Sequence, residues 1–132
     1  MVDDIREIVT FRRKEIRRVI HDGEWWFVIN DVIAALTGRA DPADYLEKLR
    51  KRDVEFSKIF SGHRPAKEGG QIVPPTRLVV KTNGGRQKMN CWNTEGILRM
   101  LQSISSPKAE PFKRWLSRVG FEQIPEIKNP ES

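Results

Sequence analysis

The chain predicts an α+β fold, a small antiparallel β-hairpin sheet packed with about four α-helices and ending in a helical pair. Three observations predict it. Two β-rich stretches are each centred on a turn signal, Asp22-Gly23 in one and Asn83-Gly84-Gly85 in the other. Between them lie apolar residues at helical spacing behind recognisable cap residues. After them an apolar helix, a Ser105-Ser106-Pro107 break and a second amphipathic helix close the chain.

Residues 9–30 read as a hairpin, because both central positions of a two-residue turn need positive φ and Asp-Gly supplies them. That turn sets His21 opposite Glu24, Ile20 opposite Trp25, Arg18 opposite Phe27 and Ile16 opposite Ile29. The other face pairs Val19 with Trp26 and Arg17 with Val28. Ile16, Ile20, Trp25, Phe27 and Ile29 are the expected core face, and Arg17 is expected to point outward. Asn30-Asp31 signals a helix start before Val32-Ile33-Ala34-Ala35-Leu36, and Gly38 is its stop. Asp41 caps the next helix with Pro42 at its first position, where a missing N–H costs little. Tyr45, Leu46 and Leu49 form its apolar stripe. Its far end carries Lys48, Arg50, Lys51 and Arg52, which suit a helix carboxyl terminus as well as they suit phosphate.

Gly62, Pro65, Gly69-Gly70 and Pro74-Pro75 mark residues 61–75 as a long exposed loop. Thr76-Arg77-Leu78-Val79-Val80-Lys81 is a strand, and Gln87-Lys88-Met89-Asn90-Cys91-Trp92 is its returning partner. Asn93 or Thr94 caps a helix with Ile97, Leu98, Leu101 and Ile104 on one side. Pro111 falls in the first turn of the last helix, Phe112, Trp115, Leu116 and Val119 form its buried stripe, and Gly120 stops it. Residues 1–8 read as a tail, 9–124 as one domain and 125–132 as a tail or a linker to a second domain.

With 132 residues, 38% hydrophobic and 32% charged, the chain is long enough to bury a core and is not of disordered composition. No apolar run approaches the roughly 20 residues of a membrane span, so no membrane partner is expected. The acidic opening Met1-Val2-Asp3-Asp4 is unlike a secretion signal. Cys91 is the single cysteine, which excludes an internal disulfide and fits a reducing cytoplasm. The net charge of +6, from 24 basic and 18 acidic residues, favours polyanionic partners, though solubility alone accounts for it as well.

Catalytic equipment is not evident. His21 and His63 lie in a turn and a loop at no metal-ligand spacing, so neither a metal nor another cofactor is expected. Ser57, His63 and Glu68 form a triad on paper only, with no defined base and orienter. Gly69-Gly70 and Gly84-Gly85 lack the lysine and helix of a phosphate loop, so they read as turns. The chain is not expected to be an enzyme.

The cations are more telling. Arg12, Arg13, Lys14, Arg17 and Arg18 crowd seven positions of the first strand. A two-stranded ribbon fits a DNA major groove, where arginines read guanine or clamp phosphate. Charge that keeps an edge strand from aggregating is the competing explanation. Lys81, Arg86 and Lys88 around the second hairpin tip extend the same surface, and Lys113, Arg114 and Arg118 line the polar side of the last helix. The four tryptophans are expected to anchor the core, since Trp25 and Trp115 fall on apolar stripes.

The order of elements, and three segments in particular, resembles the amino-terminal domain of the BRO (baculovirus repeated ORF) proteins and of phage or prophage antirepressors. The segments are Trp26-Phe27-Val28 running into Asn30-Asp31-Val32, then Asn93-Thr94-Glu95-Gly96-Ile97-Leu98, then Ser106-Pro107-Lys108-Ala109-Glu110-Pro111-Phe112-Lys113-Arg114-Trp115-Leu116. The likeness spans about residues 9–124. It implies DNA binding and transcription regulation in a phage or viral setting, in the cytoplasm of a bacterial host, with a separate carboxyl-terminal domain usual in relatives. DNA is the expected partner. A phage repressor, bound and inactivated without DNA contact, is the alternative, and a homodimer is a third arrangement.

Overall fold

The computed structural model describes residues 7–62 and 72–124. Most of the expected 61–75 loop, with His63, Glu68 and Gly69-Gly70, lies outside the described residues. So do the two tails, apart from Glu7 and Ile8 of the first.

The chain runs β1 (Ile8–Phe11), β2 (Lys14–His21), β3 (Glu24–Val28), α1 (Ile29–Thr37), α2 (Pro42–Arg52), α3 (Val54–Phe60), β4 (Thr76–Thr82), β5 (Gly85–Asn93), α4 (Thr94–Ser103) and α5 (Ala109–Val119). The α+β class holds. The five strands form one antiparallel sheet in the order β1-β2-β3-β5-β4. The two ribbons are therefore one sheet, welded where Trp26, Phe27 and Val28 of β3 pair with Asn93, Trp92 and Cys91 of β5.

The Asp22-Gly23 hairpin has the expected register, with Arg18, Val19, Ile20 and His21 opposite Phe27, Trp26, Trp25 and Glu24. Asp22 and Gly23 take φ of 53° and 75°. The expected single strand before it is two. Arg12 and Arg13 both take positive φ, 48° and 72°, and turn the chain tightly between Phe11 and its partner Lys14. Arg-Arg is not a turn signal, so the residue types hide this hairpin. Ile29 does not pair with Ile16, because β3 stops at Val28 and Ile29 opens α1. That helix starts one residue before Asn30-Asp31, without a side-chain cap, and ends at Gly38 in the left-handed region.

Asp41 caps α2 by accepting from the Asp44 N–H, with Pro42 at the first position. Asp53 then ends α2 and caps α3, its carboxylate accepting from the Phe56 N–H at 3.0 Å. This short α3 is an addition to the expected helices. It seats Phe56 against Trp92, ring centroids 6.0 Å apart. Asn93 caps α4 through the Gly96 N–H, and Pro111 sits in the first turn of α5.

All four tryptophans are buried, as expected of core anchors. Phe27, Trp92, Phe56, Phe112, Ile97 and Leu116 are fully enclosed, each such side chain contributing roughly 1.5–3 kcal/mol of transfer free energy. Among the described residues, no buried side-chain nitrogen or oxygen lacks a partner, and no helix is long and apolar enough to cross a membrane.

Candidate nucleic-acid interface

Strand lengths set the geometry. β3 ends at Val28, which pairs with Cys91 of β5, while the β2 register carries Arg17 past it on the other side. Beyond that level β2 reaches back to Lys14 and β5 to Gly85. Both neighbours are antiparallel to β3, so the β1–β2 and β4–β5 hairpins project past the same end of the sheet, where the chain turns into α1. At about 3.4 Å per residue the β4–β5 arm extends roughly 20 Å beyond Val28. Between the arms lies an open cleft, lined by Glu7, Ile8, Glu15, Arg17 and Asp31 on one side and by Lys81, Thr82 and Asn83 on the other.

The five cations expected on the first strand separate into two groups. Arg12, Arg13 and Lys14 are exposed at the tip of the β1–β2 arm. Arg12 lies over the ring of Phe11 at 5.3 Å. Arg17 and Arg18, on opposite faces of β2, are both engaged within the fold. Arg17 is half-buried, not outward, and forks onto Asp31 with both nitrogen–oxygen distances at 2.7 Å. Its backbone N–H reaches the same carboxylate at 3.0 Å. These bonds raise the already high pKa of the guanidinium, and burial opposes them.

Arg18 is 3% exposed. Its guanidinium stacks 3.7 Å from the Trp25 ring, donates to the Val119 carbonyl at 3.0 Å and pairs with Glu122 at 2.8 Å. The register explains it: Arg18 shares the face of Ile16, Ile20, Trp25 and Phe27. It is a core residue, and the expectation that it contacts DNA is corrected.

On the second arm, Lys81, Arg86 and Lys88 are exposed. Alternation puts them on one face with Arg77, Val79 and Asn90, since Lys81 pairs with Arg86, Val79 with Lys88 and Arg77 with Asn90. Arg77 and Asn90 were not singled out from the sequence, although this register was available from the Asn83-Gly84 turn. No acidic residue occurs between positions 76 and 93. The opposite face turns Leu78, Val80, Met89 and Cys91 inward. Burial, with Asp31 nearby, pushes the Cys91 thiol up to about 12, so it is no nucleophile at neutral pH.

Lys113, Arg114 and Arg118 are exposed on α5, opposite Phe112, Trp115, Leu116 and Val119. Phe11 packs edge-on against Phe112 and Trp115, centroids 4.8 and 5.5 Å away, so α5 braces the base of the first tip. Lys113 lies apart from that contact and borders a groove with Leu98, Leu101 and Pro107. Ser57, from the paper triad, accepts instead from Arg50 at 3.4 Å. Among the described residues, no group of three His, Cys, Asp or Glu side chains is arranged to hold a metal ion.

A search of curated proteins and a search of solved structures each returned no match. The model of the BRO family, N-terminal domain, matches residues 15–122, from the start of β2 to the Glu122 that pairs with Arg18. The chain belongs to that family.

Proposed function

We propose that this chain is a DNA-binding transcription-regulatory domain of the phage antirepressor type, which grips DNA with its two hairpin arms. One observation carries the reading. Both arms project past the same end of the sheet, one tipped by Arg12, Arg13 and Lys14, the other bearing Arg77, Lys81, Arg86 and Lys88 without a single carboxylate. Cations grouped on projecting ribbons raise the local potential where a phosphate backbone can approach. The family supports the same reading, since it suggests phage-type DNA-binding or antirepressor-like domains. Lys113, Arg114 and Arg118 are flanking phosphate contacts in this account. Arg17 and Arg18 serve by fixing the frame.

Anisotropy of a labelled random-sequence duplex, titrated at several salt concentrations, tests the proposal. Arg12→Asn with Arg13→Gly removes two charges while supplying residues that favour positive φ. The wild type should bind with strong salt dependence. The double variant should bind more weakly, with a log–log slope smaller by roughly two units. A chain that binds no duplex at low salt but captures a phage repressor would instead be a protein-interaction module.

A further inference from the structure

We infer that the outer face of the β4–β5 arm reads base edges in the DNA major groove, while the carboxyl end of α2 holds the adjacent phosphates. The inference rests on the DNA-binding reading and goes further by assigning which element reads sequence.

Strand alternation presents Arg86, Lys88 and Asn90 of β5 beside Lys81, Val79 and Arg77 of β4. All six are exposed. A solvated face that served only solubility would carry both signs of charge, and this one carries four cations and no anion. Its composition is also richer than phosphate binding requires. Arginine and lysine pair with guanine O6 and N7, asparagine pairs with adenine N6 and N7, and a small apolar side chain meets the thymine methyl group. Two paired strands stand about 5 Å apart, and a ribbon of that width enters a major groove about 12 Å wide.

The face does not end at the arm. Asn90 also lines a shallow groove shared with Arg50, Lys51 and Ser57 of the helices and with Asn30 at the start of α1. Glu47 is the acid in that groove. Arg50 is steadied by the Phe60 ring at 4.6 Å and by Ser57, whereas Lys51 is exposed. A duplex seated on the arm would bring its backbone to this end of α2. Lys81, near the tip, also borders the mixed cleft between the arms, which contains Glu7, Glu15 and Asp31, whereas Lys88 and Asn90 do not line it.

The test is selection from a random-sequence duplex pool with the full chain, followed by affinities on the selected duplex and on the unselected pool. Asn90→Ala should lose about tenfold on the selected duplex, the size of one bidentate base contact. It should be nearly unchanged on the pool and should relax preference at one position. Replacing guanine by 7-deazaguanine in the selected duplex should weaken the wild type and affect Arg86→Ala much less. Lys51→Ala should weaken both DNAs equally. If Asn90→Ala, Lys88→Ala and Arg86→Ala all match the wild type on both DNAs, the reading face is wrong while DNA binding stands. Binding confined to single strands overturns the inference too. A chain with no affinity for DNA removes the functional reading and this inference together.

Discussion

Arg17 and Arg18 are adjacent and identical, yet each is tied into the fold on a different face of β2, which shows how far residue type alone can mislead. Arginine is rarely buried, and the sequence offered a polyanion as a partner for both. Strand alternation separates them. Arg17 points to the helix that follows β3 and meets Asp31, whereas Arg18 points into the apolar face and lies on Trp25. The register needed to see this was legible from the Asp22-Gly23 turn; what it could not reveal was Glu122 and the Val119 carbonyl, brought in from the far end of the chain. Arg18→Ala removes the stacked cation, its hydrogen bond to the Val119 carbonyl and its ion pair with Glu122, so it should cost roughly 2–4 kcal/mol in urea unfolding. Arg114→Ala, on an exposed helix face, should stay within about 0.5 kcal/mol of wild type. Equal stabilities would refute the internal role given to Arg18.

At the scale of elements, caps and turns with a chemical signature were readable: Asp41-Pro42, Asn93, Gly38 and Asp22-Gly23 all act where their residue types direct. The Arg12-Arg13 turn and α3 were not, since one uses residues that seldom take positive φ and the other is a short helix after a shared cap. Asp53 is that cap. It accepts from the Ser103 hydroxyl and the Phe56 N–H, which hold its carboxyl below the usual range, and Arg99 and Arg52 add to the effect. A carboxylate with a lowered folded pKa stabilises above its unfolded value, near 4, and loses that contribution as pH falls through the folded one. The stability gap between wild type and Asp53→Ala should therefore narrow below about pH 4 in urea titrations, and a gap that widens on acidification would contradict the assignment. Gly96 is set by a different constraint. A Cβ there would fall within the Trp92 indole, so Gly96→Ala should lower Tm despite its better helix propensity, by an overpacking cost of roughly 1–3 kcal/mol set against about 1 kcal/mol gained.

For the whole molecule, the sequence yields the elements and their order but not their assembly into one sheet. The β3–β5 pairing joins segments on either side of three helices, and no local signal encodes contacts at that distance. That pairing has the largest functional consequence, because it aims both hairpins the same way. In the proposed reading it also moves the centre of the DNA contact. The first strand, densest in cations, retains three of its five for a ligand, while the second arm has four on a single acid-free face. Lys81, Arg86 and Lys88, singled out by residue type, are exposed on this arm; the alternating register adds Arg77 and Asn90. The most direct measurement is a backbone amide NMR titration of the chain with a short duplex at low salt. Shifts should concentrate at residues 12–14 and 77–90, with Lys51 at their margin. Shifts confined to the exposed face of α4, or none at all with DNA in excess, would contradict the account.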